Sequence, residues 1–198
     1  MRRVLHAGRG YQSSVYLVEV DGALAAVKDF ATAPPLFRRW IAPFLIRREM
    51  RALRHLRGTP GVPQVYGRID RYAFAQEYIE GKPVADFEPG ELDPAVFPRV
   101  QRVIDAIHEK GVSHGDLKRR SNLLVTEKGE VFLVDFAASI IGRGPGTRWL
   151  QKQVALVDDK SLPRIKKFAA PELLTAEDKY KLENPTGLEK WARRLLNR

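Results

Sequence analysis

The most constraining feature of this chain is a short polar loop that leads into an apolar run, residues 114–135. The loop carries Asp116 and, six residues later, Asn122, and a second carboxylate, Asp135, ends the apolar run. A phosphoryl-transfer site requires this layout, because one carboxylate orients the attacking hydroxyl while an amide and a carboxylate hold Mg²⁺ on the nucleotide phosphates. The spacing therefore predicts such a site, with His114 bracing the loop by hydrogen bonding rather than acting as the base.

The first eighty residues predict a five-stranded antiparallel sheet. Alternating apolar and polar positions indicate three strands up to residue 30, and Asp21-Gly22 is a strong hairpin signal between the second and the third. Residues 62–67 and 72–79 supply the remaining two strands.

A helical segment is predicted between the third and fourth strands. Pro43 is expected to divide residues 36–46 into two short helical pieces. Residues 47–57 then predict a separate helix with one apolar face and one basic face, which Gly58 ends.

The second half of the chain is predicted to be mainly helical. Residues 94–110 carry an apolar stripe at helical spacing, and residues 123–134 form a hairpin that delivers Asp135. The glycines of 142–146 predict a flexible loop. Further helices are expected over 149–159, over 162–168 and from Thr175, which forms a capping pair with Asp178.

In their order along the chain, these motifs resemble those of the protein-kinase-like superfamily from end to end. Gly8, Gly10 and Ser13 resemble the loop that covers the phosphates, Lys28 resembles the nucleotide-binding lysine, and Glu49 resembles the helix glutamate that pairs with it. The resemblance implies a single α+β domain over 1–198 with a two-lobed protein-kinase-like fold. Its five-stranded N-lobe would cover 1–79, its hinge 80–83, and a truncated, mainly helical C-lobe 84–198.

The resemblance also implies a role for each site residue. Asp116 would be the catalytic base or hydroxyl-orienting residue, Lys118 would neutralise the γ-phosphate, and Asn122 and Asp135 would bind Mg²⁺. ATP would be held by the phosphate loop, the lysine, an adenine pocket and the hinge backbone, that is, by Gly8, Gly10, Ser13, Val15, Ala26, Lys28, Glu77, Ile79 and Leu124.

Several departures from the common pattern bear on this interpretation. Asn122 lies six residues after Asp116 where most kinases have five, so either the loop carries an extra residue or Ser121 takes the ligand position. Ala137 stands where a glycine is usual, and Gly115 replaces the arginine that reads a phosphorylated activation loop. The second lobe is also short. In these features the chain most resembles lipopolysaccharide-core (Kdo/heptose) sugar kinases and RIO-like serine/threonine kinases.

Charge points to a polyanionic partner. The formal net charge is +10, from 34 Lys and Arg against 24 Asp and Glu. Within residues 36–57, seven arginines and the aromatic residues Phe37, Trp40 and Phe44 surround a single acid, Glu49. This pattern predicts either contact with an anionic membrane or a connector that packs its aromatic rings beneath the sheet. No base-reading module accompanies the arginines, which does not favour nucleic acid.

The sequence thus predicts an ATP- and Mg²⁺-dependent phosphotransferase that acts on a hydroxyl of a glycolipid core sugar or of a protein serine or threonine. A catalytically silent nucleotide-binding scaffold is the rival interpretation. The chain has no cysteine, no signal-peptide pattern and no apolar run of membrane-spanning length. A cytoplasmic protein is therefore expected, either free or peripheral at the inner face of the membrane.

Overall fold

A computed structural model describes residues 2–20 and 22–196 of the chain. The first half is a five-stranded antiparallel sheet with the strand order β1-β2-β3-β5-β4, which confirms the predicted sheet. Asp21, the first residue of the predicted hairpin turn, lies outside the described residues, but Val20 pairs with Ala23 across it. The strands are β1 Arg2–His6, β2 Ser14–Val20, β3 Ala23–Asp29, β4 Val65–Arg68 and β5 Ala73–Glu77.

Two helices follow β3, α1 (Pro35–Trp40) and α2 (Ala42–His55). The predicted break at Pro43 and the predicted helix start at residue 47 are wrong. The chain turns at Ile41 instead, and Pro43 lies in the first turn of α2, where its missing N–H costs no intrahelical hydrogen bond. One long helix therefore replaces the second short piece and the separate basic helix.

The second half contains five short strands and five helices among the described residues. The strands are β6 Lys82–Pro83, β7 Val112–Ser113, β8 Leu123–Val125, β9 Val131–Leu133 and β10 Ile140–Ile141. The helices are α3 Phe97–Glu109, α4 Pro145–Asp158, α5 Ser161–Ala169, α6 Ala176–Glu183 and α7 Gly187–Leu196. The predicted α+β composition, with a mainly helical second half, is confirmed.

Two local predictions differ from the structure. In the segment 80–83, β6 pairs with β8 in a three-stranded sheet of the order β6-β8-β9. Half of the predicted hinge therefore belongs to a sheet of the second half. The predicted loop 142–146 is shorter than expected, because Pro145 opens α4 and the Gly144 N–H donates to Thr147 Oγ1. The predicted capping pair is confirmed: Asp178 N donates to Thr175 Oγ1 and Thr175 N donates to Asp178 Oδ2.

One apolar cluster joins the two halves. Phe74 of β5, Ile46 and Leu53 of α2, Ile104 of α3 and Phe136 just after β9 are almost completely buried within it. Because α2 packs against both the sheet and the segment after β9, the two sides of the intervening cleft are fixed to one core. No helix in the described part of the chain is long and apolar enough to cross a membrane.

Candidate active site

A cleft with a volume of about 790 Å³ lies between the sheet and the second half of the molecule. Alternation along β3 directs Ala26 and Lys28 to the same face of the sheet, and both line this cleft. The predicted catalytic carboxylate, Asp116, is not among the residues that line it. Nine of the predicted site residues do line it: Ser13, Val15, Ala26, Lys28, Glu77, Ile79, Asn122, Leu124 and Asp135.

Lys28 is the centre of a buried charge cluster. Its Nζ lies 2.8 Å from both carboxylate oxygens of Glu49 and 2.6 Å from Asp135 Oδ1. Burial by itself lowers the pKa of the Lys28 ammonium, but the two carboxylates outweigh it and the pKa is raised above its ordinary value. The Phe136 N–H also donates to the Glu49 carboxylate, which ties α2 to the backbone after β9. The lysine therefore remains charged and fixed at the floor of the cleft.

Asp135 adopts a strained backbone conformation. Its φ of 67° and ψ of 64° are left-handed, and it is the one described non-glycine residue with a positive φ. Such a conformation costs about 1–3 kcal/mol and concentrates at functional sites. Burial would raise the pKa of its carboxyl, but the Lys28 charge and the Ala137 N–H hold the pKa below its ordinary range. An ionised carboxylate thus faces the cleft.

The loop between β7 and β8 brings Asp116 and Asn122 together. Asn122 Nδ2 donates to the Asp116 carbonyl oxygen over 3.0 Å, and the Val134 N–H donates to the Asn122 carbonyl oxygen over 2.9 Å. The extra residue of the loop is absorbed by a short 3-10 turn over Arg120–Asn122. Because the amide nitrogen is directed to Asp116, the amide oxygen of Asn122 is its atom suited to bind a cation. Ser121 also lines the cleft.

Lys118, which was predicted to neutralise the γ-phosphate, does not lie beside Asp116. Its side chain is exposed and is not among those that line the cleft. The next residue, Arg119, is also exposed, but it lines the cleft and places its Nε 3.2 Å from Asp116 Oδ2. The cation beside the predicted catalytic carboxylate is therefore Arg119. The resemblance to kinases points to Lys118, because their phosphate-neutralising lysine lies two residues after the catalytic aspartate.

A buried carboxylate that sequence reasoning missed anchors the same loop. Asp158, at the end of α4, accepts hydrogen bonds from the His114 N–H (2.7 Å) and the Gly115 N–H (3.0 Å). Gly115 has a φ of +82°, and a Cβ there would lie 2.7 Å from the Ala138 carbonyl oxygen, so this position requires glycine. No local motif identifies Asp158, which lies 44 residues after His114 and 43 residues after Gly115.

The contacts of His114 are those of a residue that holds the loop in place by hydrogen bonding, as the sequence predicts. Its ring is completely buried, packs 4.6 Å from the Phe136 ring centroid and contacts the Val134 carbonyl oxygen at 3.0 Å through Nε2. The Asp116 N–H points at Nδ1 from 3.3 Å. Burial lowers the pKa of the imidazole, and these two partners fit a neutral ring that donates through Nε2 and accepts at Nδ1.

Arg48 is a further residue that the sequence did not single out. From α2 its guanidinium donates to the Ser139 carbonyl oxygen over 2.8 Å and to the Ala138 carbonyl oxygen over 2.7 Å. One arginine of the basic helix is therefore used to fix the segment that follows Asp135. In sequence it is indistinguishable from its six neighbouring arginines.

The phosphate-loop residues lie between β1 and β2. The Gly8 N–H donates to Ser14 Oγ, and a Cβ on Gly8 would lie 2.5 Å from the Gln12 carbonyl oxygen. Gly8 is thus required by the tight fold of the loop itself. Ser13 lines the cleft, whereas Gly8 and Gly10 are not among the residues that line it.

The opposite end of the cleft is formed by apolar walls and by exposed backbone. Val15, Ala26 and Leu124 lie on its two sides, and residues 76–79 form its edge. The Glu77 N–H is already donated to the Gln64 carbonyl oxygen over 2.7 Å. A base at this edge would therefore not be bound by the Glu77 N–H, and the contacts of Glu77 and Ile79 with ATP stay a prediction.

The donor set fits Mg²⁺ in the presence of a phosphate ligand. Asn122 and Asp135 offer hard oxygen atoms, and the carboxylate is ionised. Among the described residues no group of three or more His, Cys, Asp or Glu side chains is placed to hold a metal by itself. Magnesium typically completes its shell with phosphate oxygens and water, so two protein ligands suffice for a nucleotide-bound ion.

Comparison with known proteins gives matches that cover this cleft. A family model described as RIO domain matches residues 28–158, from the buried lysine to the carboxylate that anchors the loop. The 3-deoxy-D-manno-octulosonic acid kinase of Xylella fastidiosa is 31% identical over 117 residues, which cover 54% of this chain and 46% of that kinase.

Two archaeal proteins match a longer stretch at lower identity. The probable bifunctional tRNA threonylcarbamoyladenosine biosynthesis proteins of Methanosarcina mazei and Methanosarcina acetivorans are each 27% identical over 153 residues. These matches cover 73% of this chain and 26% of each relative. The chain thus spans less than half the length of the curated relatives that it matches.

Proposed function

Because this chain belongs to the RIO domain family, whose fold is protein-kinase-like, we propose that it transfers the γ-phosphoryl group of ATP to a hydroxyl acceptor. At the level of the family, the similarity supports a phosphotransferase. The observation that carries the proposal is that Lys28, Asn122 and Asp135 line one cleft. Asp116 accepts a hydrogen bond from the Asn122 amide at its side, and Glu49 lies buried behind the lysine.

In this proposal each polar residue has one task. Lys28 binds the α- and β-phosphates while Glu49 fixes its position, and Asn122 and Asp135 hold Mg²⁺, which neutralises phosphate charge when bound. Asp116 accepts a hydrogen bond from the acceptor hydroxyl. The hydroxyl oxygen attacks the γ-phosphorus in line, the bond to the β,γ-bridging oxygen breaks, and the hydroxyl proton passes to Asp116 as ADP leaves.

We propose a sugar hydroxyl of a lipopolysaccharide core as the acceptor. The similarity to a 3-deoxy-D-manno-octulosonic acid kinase supports this class of acceptor. The start of α4 ten residues after Asp135 supports it as well, since only a short segment lies between them to hold a peptide. Such an acceptor would require the protein to work at the inner face of a membrane, and the basic residues of 36–57 favour that location.

Two other functions remain to be separated from this one. A RIO-like serine/threonine protein kinase is favoured by the family match, which covers more of the chain than the sugar-kinase similarity does. A silent nucleotide-binding scaffold is suggested by Ala137 and by the longer loop after Asp116. Against the scaffold, the Ala137 N–H still donates to Asp135, and the short turn at Arg120–Asn122 still brings Asn122 to Asp116.

The test is phosphate transfer from γ-labelled ATP with Mg²⁺, offered in separate reactions to core lipopolysaccharide and to a basic protein. Wild type is compared with Asp116→Ala and with Asp105→Ala, a matched removal of a carboxylate from α3, outside the cleft. We expect label on the glycolipid with wild type and Asp105→Ala, and none with Asp116→Ala. Label on protein alone would favour the RIO-like kinase, and binding of ATP without transfer would favour the scaffold.

A further inference from the structure

One corner of the first half exposes an unusual group of large apolar side chains. Trp40 and Phe44, at the junction of α1 and α2, are 69% and 61% exposed. Leu36 of α1, Ile41 between the two helices and Ile69 from the connection between β4 and β5 are also exposed. We name this group the apolar corner.

The residues of the apolar corner are not the ones that attach α1 and α2 to the core. Phe37, which lies between these residues in sequence, is directed inwards and packs against Phe30 and Tyr11 with ring centroids 6.1 and 5.1 Å away. On α2, Ile46 and Met50 are buried against the core. Helix α2 therefore already has a buried face, and α1 packs the partly buried Phe37 against the core. The exposed residues belong to an outward face.

Arginines surround the apolar corner. Arg39, Arg47, Arg68 and Arg71 share one surface depression with Trp40 and Phe44. Arg68 donates to the Asp70 and Arg71 carbonyl oxygens, and Arg71 donates to the Arg39 carbonyl oxygen, so the connection between β4 and β5 is fixed beside α1.

The positive charge of this surface is not neutralised from within. In the described part of the chain, none of the four guanidinium groups forms an ion pair with a carboxylate. Asp70 is the single acidic residue in the depression, and its carboxylate accepts the Tyr72 N–H over 2.6 Å. The surface therefore combines exposed apolar side chains with uncompensated cations.

We propose that this surface, residues 36–47 together with 68–71, docks on an anionic lipid bilayer. Trp and Phe rings partition to the boundary between headgroups and acyl chains, and arginine guanidinium groups bind lipid phosphates at the same depth. The aliphatic residues Leu36, Ile41 and Ile69 fit an acyl environment and offer nothing to a nucleic-acid base. The inference does not rest on the proposed function, because a silent scaffold would carry the same surface.

The structure also narrows what the sequence indicated. The whole basic run of 36–57 is not the surface, since Arg48 is committed to the Ala138 and Ser139 carbonyl oxygens. His55, the last residue of α2, lies eleven residues beyond Phe44, about 16 Å farther along the helix at 1.5 Å per residue, and Arg57 lies beyond it. The connection at 68–71, which no sequence pattern assigned to this surface, completes it.

The test is flotation of the protein with vesicles of phosphatidylcholine, with and without 30% phosphatidylglycerol (a fraction on the order of cellular anionic lipid). Wild type is compared with a Trp40→Ala/Phe44→Ala variant and with a matched Trp149→Ala/Trp191→Ala variant, which removes two exposed tryptophans elsewhere. We expect binding to the anionic vesicles only, reduced at least about tenfold by the first variant and unchanged by the second.

A second pair of variants tests the charges. Replacing Arg39 and Arg47 by glutamine should weaken binding by about fivefold for each residue, whereas replacing Arg54 and Arg57 by glutamine should have less effect. Thermal unfolding followed by circular dichroism checks that every variant is folded. Because these substitutions leave Phe37 of α1 and the buried residues of α2 unchanged, we expect unfolding temperatures close to that of wild type.

Five results would overturn the proposal. These are absence of flotation with anionic vesicles, an equal loss in the matched tryptophan variant, and an equal loss for both arginine pairs. The fourth is a dimer in light scattering that the Trp40→Ala/Phe44→Ala variant abolishes, which would make the surface an interface between two copies of the chain. Competition by a single-stranded RNA that also requires Trp40 and Phe44 would assign the surface to nucleic acid and equally overturn the proposal.

Discussion

Lys28 connects carboxylates from both halves of the molecule through one ammonium group. Glu49 belongs to α2 and Asp135 follows β9, and both lie within hydrogen-bond distance of Nζ. In a buried site the mutual attraction of such charges offsets their desolvation only when the geometry is good, and here three oxygen atoms surround the ammonium. The left-handed backbone of Asp135 is stabilised by these contacts.

Arg119 and Lys118 provide a direct test of which cation serves the transferred phosphate. We expect Arg119→Ala to lower the turnover of γ-phosphate by roughly 100-fold, because it removes the donor beside Asp116. Lys118→Ala should change turnover by less than about threefold, since that side chain is exposed and lies outside the cleft. Turnover of γ-labelled ATP by the two variants decides the matter, and the opposite ranking would return the role to Lys118.

Asp158 should matter for stability more than its neighbour does. Asp158→Asn replaces one oxygen by an amide donor facing the His114 or Gly115 N–H, so a buried donor is left without an acceptor. We expect the free energy of unfolding to fall by about 2–3 kcal/mol.

The matched control is Asp159→Asn, which changes a more exposed carboxylate one residue on. Urea unfolding at pH 7 measures both variants. Equal losses would show that Asp158 has no special part in holding the loop.

At the residue level, motif spacing predicted the pairs that lie on regular elements. The Lys28–Glu49 contact follows from a strand and a helix in fixed register, and the sequence indicated it. Which of Lys118 and Arg119 contacts Asp116 was not predictable, because a loop has no fixed period from which the direction of a side chain follows. Asp158 acts through backbone N–H groups, whose positions no residue type reveals.

Helix α7 is tied to the preceding elements through Glu189. Its carboxylate accepts from Lys160 Nζ over 2.5 Å and from Arg164 over 2.9 Å, and it also accepts the Thr186 N–H. Burial by itself raises the pKa of this carboxyl, but the Lys160 hydrogen bond and the Thr186 N–H lower it to about 2.

A pH dependence follows from that lowered pKa. The carboxylate stabilises the fold fully above its ordinary pKa of 4.5, and this contribution is lost as the pH falls through about 2. We therefore expect Glu189→Gln to cost roughly 1 kcal/mol at pH 7 and progressively less between pH 4.5 and pH 2. Urea unfolding at pH 7 and at pH 3 measures the difference, and a constant cost at both pH values would contradict the assignment.

Element types were predicted better than element bounds, and the prolines explain the errors. Pro43 and Pro145 both lie in the first turn of a helix, where they begin α2 and α4. The sequence pattern predicts a helix break at Pro43 and a loop that contains Pro145. A proline's effect depends on whether the preceding residue is already helical, and that is decided here by the packing of α1 and by the Gly144–Thr147 hydrogen bonds.

The molecule as a whole holds a cleft between two halves that share one apolar core. Helix α2 buries Ile46 and Leu53 in that core, carries Glu49 to the cleft and ends its first turn at the apolar corner. A single element thus connects the proposed membrane-facing surface to the lysine that would bind ATP. The sequence predicted both features, but it could not show that they lie on opposite sides of one helix, because it divided that helix into two pieces.

The measurement that most directly tests the phosphotransferase account separates nucleotide binding from chemistry. ATP affinity in the presence of Mg²⁺ is measured by calorimetry, and turnover of γ-labelled ATP is measured in the same preparations of wild type and Asp116→Asn. We expect the dissociation constant to change by less than about threefold while turnover falls at least about 100-fold, because Asp116 meets the acceptor rather than the nucleotide. Full turnover by Asp116→Asn, or the absence of ATP binding by wild type, would contradict the account.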